Sequence, residues 1–169
     1  MTVVAHTAMS ETVNHGEKKP VSRRKARKQA FECLYGLIFE SAADERSLRR
    51  AFSRCPHDVE EGEDGTGQDF AWELVSGVWN NQRELDALIV RFSKNWKLSR
   101  IAKVELTILR LAVFEILHRP DIPLRVALNE AIELAKRYGD ENSRNFINGI
   151  LDAIAKAVDS GEFEIHKDL

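Results

Sequence analysis

The residues best suited to chemistry sit in one short stretch, Ser22 to Glu40, which reads SRRKARKQAFECLYGLIFE. Its first seven residues hold five cations: Arg23, Arg24, Lys25, Arg27 and Lys28. From Ala26 onward the residues Ala26, Ala30, Cys33, Leu34, Leu37 and Ile38 recur at helical spacing, so these cations crowd the first turns of a helix. That is the positive end of the helix dipole, where further positive charge is mildly unfavourable. Helix stability therefore does not explain them. The chemistry they suit is the gripping of a polyanion.

The charge distribution points the same way. Residues 1–28 carry seven Lys/Arg against Glu11 and Glu17, a balance of +5, while the remainder carries 18 basic against 25 acidic residues, or −7. A basic end on an acidic body is the pattern of a segment that meets a polyanion. Catalytic chemistry has far less to work with. No glycine-rich phosphate loop precedes a helix, and no H-E-x-x-H, C-x-x-C or G-x-S-x-G occurs. The five histidines (6, 15, 57, 118 and 166) are scattered, and only His118 falls on a core helix, at a C-terminal end that suits a cation. The pairs Glu130–Glu133 and Asp140–Glu141 face outward by periodicity and read as solvated charge. The expectation is a protein without catalysis, metal or cofactor.

The elements that must position the cations are all helical. Ser22 can cap the first helix, which Pro20 cannot join from upstream. A short helix is expected over Asp44 to Arg54, followed by an acidic, turn-rich loop at 55–66. Helical periodicity returns from Gln68 to Phe92 through Phe70, Leu74, Val78, Leu85, Leu88 and Ile89, with Gly77 as a close-packing point or kink. Ala102 to His118 is apolar almost all round and should be the central buried helix. Pro120 and Pro123 separate it from a helix over Leu124–Tyr138, whose inner stripe is Leu128, Ala131, Ile132, Ala135 and Tyr138 and which closes on Gly139. A last helix, capped by Asn142 or Ser143, packs through Ile147, Ile150, Leu151, Ile154 and Val158. No strand pattern competes, so the fold class is all-α, with six to seven helices. Residues 1–21 read as a disordered arm, 22–158 as one domain and 159–169 as a loose tail. Two cysteines are too few for a disulfide framework, and no run of about 18 uncharged apolar residues exists. A reducing, cytoplasmic setting is expected, with no membrane partner.

The stretch VELTILRLAVFEILHRPDIPLRVALNEAIELAKRYGDENSRNFINGILDAIAK is more specific. It resembles the C-terminal half of the bacterial transcription antitermination factor NusB family, in particular through NEAIELAK and NFINGILD. The opening RRKAR…LY, from Arg23 to Tyr35, is similar to that family's first helix, and the likeness runs from about 22 to 158. It implies two small helical bundles packed together. It also implies binding of the boxA element of single-stranded RNA in company with the ribosomal protein NusE, in a complex with other Nus factors on RNA polymerase.

Single-stranded RNA is held by cations on phosphates and aromatic faces on bases. Arg23, Arg24, Lys25 and Arg27 supply the first. Tyr35 and Phe146 match family positions near RNA and can supply the second, although each also adjoins the apolar stripe of its helix. Glu105 matches a position that faces NusE; an internal ion pair with Arg110 is the competing account. The family often reads EDS where this chain has Glu141, Asn142 and Ser143, so Asn142 removes a charge that would repel phosphate. Asn145 stands where a lysine is common, which weakens contact there. Two further readings remain: the RNA-binding domain of a ribosomal RNA cytosine methyltransferase, which needs an additional S-adenosylmethionine domain, and a homodimeric interaction bundle.

Overall fold

A computed structural model describes residues 22–57, 66–94 and 96–164. The arm expected over 1–21, most of the acidic loop and the last five residues lie outside the described residues. Six α-helices follow in order: α1 (Arg23–Phe39), α2 (Glu45–Arg54), α3 (Thr66–Phe92), α4 (Lys103–His118), α5 (Leu124–Tyr138) and α6 (Glu141–Asp159). A single 3-10 turn, Leu98–Arg100, precedes α4. Among the described residues there is no strand.

The helices form two bundles, α1–α3 and α4–α6, which share one continuous core. The joint is α4. It packs against α1, α3, α5 and α6, which is why it must be apolar on nearly every side. Ile108, Leu109, Leu111, Val113 and Ile116 are all enclosed. The stripes of α3 and α6 lie largely where their spacing puts them, with Phe70, Leu74, Val78, Leu85, Ile89, Ile147, Ile150, Leu151, Ile154 and Val158 buried, whereas Leu88 is only half-buried. The α5 stripe is broader than expected. Leu124, Ala127 and Leu134 are buried with Ala131 and Ala135, whereas Leu128, Ile132 and Tyr138 are only half-buried, because α5 is covered by α4 on one side and α6 on another.

Gly77 is a packing point rather than a kink: α3 runs unbroken, and a Cβ there would collide with the Phe114 ring of α4. Cys33 is buried on α1, and Cys55, at the end of α2, lies against it.

The helix ends correct several expectations. Ser22 stands at the start of α1 without a side-chain capping bond. The cap of α6 is neither Asn142 nor Ser143 but Asp140, whose carboxylate accepts the Ser143 N–H at 2.8 Å. Asp44 caps α2 in the same way, in a reciprocal box with Ser47. Gly139 ends α5 in extended backbone, not the left-handed form. The stretch after α6 is also less loose than its composition suggests. Phe163 turns back onto Phe92, with ring centroids 6.2 Å apart, and Glu162 pairs with Arg91.

Candidate nucleic-acid interface

α1 crosses α4 in the opposite direction, so its basic start meets the end of α4 and the beginning of α5. Each arginine there is already held by a carboxylate. Arg23 donates to Asp121 at 3.1 Å and lies 4.8 Å from the centre of the Phe70 ring. Arg119 holds the same Asp121 through two bonds, and chiefly for that reason the Asp121 carboxyl lies well below the usual carboxylate range. Arg24 donates to Glu130 at 2.9 Å, which raises its pKa further, yet its side chain remains 67% exposed.

Arg27 departs from the expectation of a phosphate contact. It is 3% exposed and bonds Glu115 of α4 through two parallel hydrogen bonds of 2.8 and 2.7 Å. Helical spacing explains this. Arg27 follows Ala26 and precedes Ala30 on the side of α1 that faces α4, and an arginine in the core needs a bidentate carboxylate. Glu130, read as solvated from periodicity, is half-buried between Arg24 and Arg27, 3.8 Å from the latter.

The exposed side of this corner is an open bowl of about 590 Å³ between α1 and α5. Arg24, Lys25, Lys28, Lys136 and Arg137 contribute five cations to its wall, against Glu130 and Glu133. The last turn of α5 then leads along α1: Tyr138 stacks on Phe31 at 4.2 Å and donates its hydroxyl to Glu32 at 2.5 Å. Burial, followed by the Glu32 carboxylate, pushes the Tyr138 hydroxyl up to about 12, so it stays a donor at neutral pH. Phe31 stacks on Tyr35 at 5.9 Å, and Tyr35 meets Phe39 edge-on at 5.3 Å. The result is a line of four rings, of which Phe39 at its end is 62% exposed.

The two aromatic candidates are thus both half-buried. Tyr35 stands within this line, and Phe146 stands at the start of α6 beside Trp96, 6.0 Å away. Asn142 is exposed one turn before Phe146. Sequence reasoning missed Phe39, Trp96, Lys136 and Arg137. The signal for the last two was present, since both are cations on the exposed side of an otherwise core-facing helix. Glu105, in the first turn of α4, is partly buried and makes no ion pair among the described residues. The internal pairing considered for it is excluded: Arg110 bonds Asp86 of α3 at 2.7 and 2.9 Å.

Among the described residues no cluster could hold a metal ion, and no helix is long and apolar enough to cross a membrane. Fold and surface together define an all-α protein of two fused bundles, with a basic bowl beside a row of aromatic rings whose last member, Phe39, is exposed. The chain belongs to the NusB family, whose model matches residues 24–156. It is 54% identical to a transcription antitermination protein NusB of Oleidesulfovibrio alaskensis over 83% of this chain and 91% of that protein. Among solved structures it is similar to Thermotoga maritima NusB, with a TM-score of 0.69 and 38% identity over 82% of this chain and 93% of the other. It is also similar to a chain from a complex of the antitermination factors NusB and NusE with double-stranded RNA, with a TM-score of 0.63 and 26% identity over 80% and 96%.

Proposed function

We propose that this chain is a transcription antitermination factor of the cytoplasm that acts by binding rather than by catalysis. It takes boxA-type single-stranded RNA together with the ribosomal protein NusE and joins other Nus factors on RNA polymerase. The observation that carries the reading is the bowl of five cations, beyond which α1 carries the half-buried Tyr35 and the exposed Phe39 ring, both backed by the buried Phe31. Such a surface offers phosphates a charged wall and bases a flat apolar one, the two contacts single strands need. Membership of a family whose relatives carry the antitermination name supports it.

In this reading Arg23, Arg24 and Lys25 meet phosphates, with Lys28, Lys136 and Arg137 beside them. Tyr35 and Phe146 stack on bases, and Asn142 avoids adding a further negative charge beside Asp140 and Glu141 at the start of α6. Arg27 serves differently: its bond to Glu115 locks α1 onto α4 and fixes the direction in which its neighbours project. Glu105, without an ionic partner among the described residues, faces NusE. Gel-shift titration of a boxA-type RNA and a scrambled RNA of equal composition, each with and without NusE, tests the reading. Preferential binding of the boxA-type strand, tightened by NusE, is expected. Equal or absent binding of both strands in the presence of NusE contradicts it.

A further inference from the structure

Arg23, Arg24 and Arg27, on which the sequence focuses attention, are already engaged by carboxylates. The connection between α3 and α4 differs. From Ser93 to Arg100 it reads SKNWKLSR, with three cations and no acidic residue. Lys94, Lys97 and Arg100 are exposed, and none forms an ion pair among the described residues. Trp96 between them is 52% exposed, which is unusual for a side chain whose burial would be worth a great deal. Its ring stands 6.0 Å from Phe146, tilted by 54°.

The described residues of this segment are anchored at both ends. Ser93 is buried at the end of α3 and its hydroxyl donates to the Val90 carbonyl. Lys94 takes a left-handed conformation with φ of 55°, and the Trp96 N–H returns to the Ser93 carbonyl at 3.3 Å. At the other end Ile101 is buried and closes the turn onto the Leu98 carbonyl. The two anchored ends leave three charges and one indole facing solvent.

We infer that this connection is a second RNA-contacting segment, in which Trp96 and Phe146 present adjacent rings to bases while Lys94, Lys97 and Arg100 hold the flanking phosphates. The inference rests on the RNA-binding reading above and extends it beyond α1. Continuity favours RNA as the occupant. The end of α5, whose Tyr138 stacks on Phe31, leads within three residues into α6, which carries Asn142 and Phe146. A strand lying along α1 therefore has an unbroken route to Trp96. Charge favours it too, because cations without an ionic partner among the described residues give up none of those bonds when a phosphate arrives, whereas Arg24 must exchange its bond with Glu130.

The test is fluorescence anisotropy of a labelled boxA-type RNA with the full chain and NusE across a salt series. It compares wild type with Lys94→Gln/Lys97→Gln/Arg100→Gln, Trp96→Ala, Trp96→Phe and Arg24→Gln/Lys25→Gln. The loop variant is expected to bind more weakly, with a log–log salt slope shallower by about 2, the share of three phosphate contacts on a single strand. Trp96→Ala should lose roughly tenfold in affinity, as for one base stack, with its slope unchanged, and Trp96→Phe should keep most of it. Wild-type affinity in the loop variant and in Trp96→Ala, with weakened binding in Arg24→Gln/Lys25→Gln, overturns the inference and leaves the α1 site standing. Loss of NusE binding with RNA binding intact also overturns it, assigning the loop to the protein partner. No binding by wild type removes the RNA reading itself.

Discussion

Arg27 and Glu115 illustrate how a charged residue can be read correctly in kind and wrongly in place. The pair is enclosed, doubly hydrogen-bonded and joins two helices that are far apart in sequence. Arg27→Met leaves the Glu115 carboxylate buried without its guanidinium and is expected to cost about 3–5 kcal/mol of stability by urea unfolding. Arg27→Met/Glu115→Leu should recover most of that loss, since a hydrophobic replacement of the whole pair is often neutral. If the double variant is as unstable as the single one, the pair does more than lock α1 to α4. Asn142 is tested by adding charge instead. Asn142→Asp at this exposed position should weaken RNA binding while leaving the melting temperature unchanged, and equal affinity would separate the start of α6 from the RNA path. Composition and spacing revealed the cations of α1 but not which of them turn inward, because that depends on a carboxylate 88 residues away.

At the scale of elements, the helices whose apolar spacing is regular were legible almost to the residue. The spacing of α3 and α6 named most of their buried side chains, though Leu88 is only half-buried and Ala71 and Val75 went unnamed, and the apolar character of α4 marked it as central. What escaped was set by contacts between elements. The stripe of α5 broadens because two neighbours cover it, and the turn back to Phe163 depends on Phe92, which local sequence does not show. The exposure of Trp96 was not legible for the same reason: whether an indole between two helices is covered depends on neighbours that local sequence does not place. Gly77 was legible as special without its cause. Alanine there would favour the helix by about 1 kcal/mol, yet its methyl would strike Phe114. Gly77→Ala is therefore expected to destabilise by about 1–3 kcal/mol, and less in a Phe114→Leu background. A Gly77→Ala variant more stable than wild type by thermal melting would show that the ring yields.

The molecule as a whole couples its surface charge to its stability. The carboxyls of Asp44, Asp121 and Asp140 all lie below their ordinary range, the first and last through helix-capping bonds and Asp121 chiefly through Arg119. On acidification the unfolded chain takes up these protons first, so the stabilisation is complete above the ordinary carboxylate pKa and is lost as pH falls through the folded values. Melting temperature should be nearly level from pH 7 to about 5 and decline below about pH 4. A melting temperature constant from pH 6 to 3 would refute this. Through the same Asp121 carboxylate, the basic corner of α1 is tied to the turn after α4, so the charged surface is built into the joint between the two bundles. In the proposed function this corner meets phosphate. The most direct test of that contact is the salt dependence of boxA-type RNA binding, in the presence of NusE, for wild type and Arg23→Gln/Arg24→Gln/Lys25→Gln. The log–log slope is expected to become shallower by about 2, as three lost phosphate contacts on a single strand require. An unchanged slope with unchanged affinity would contradict the account.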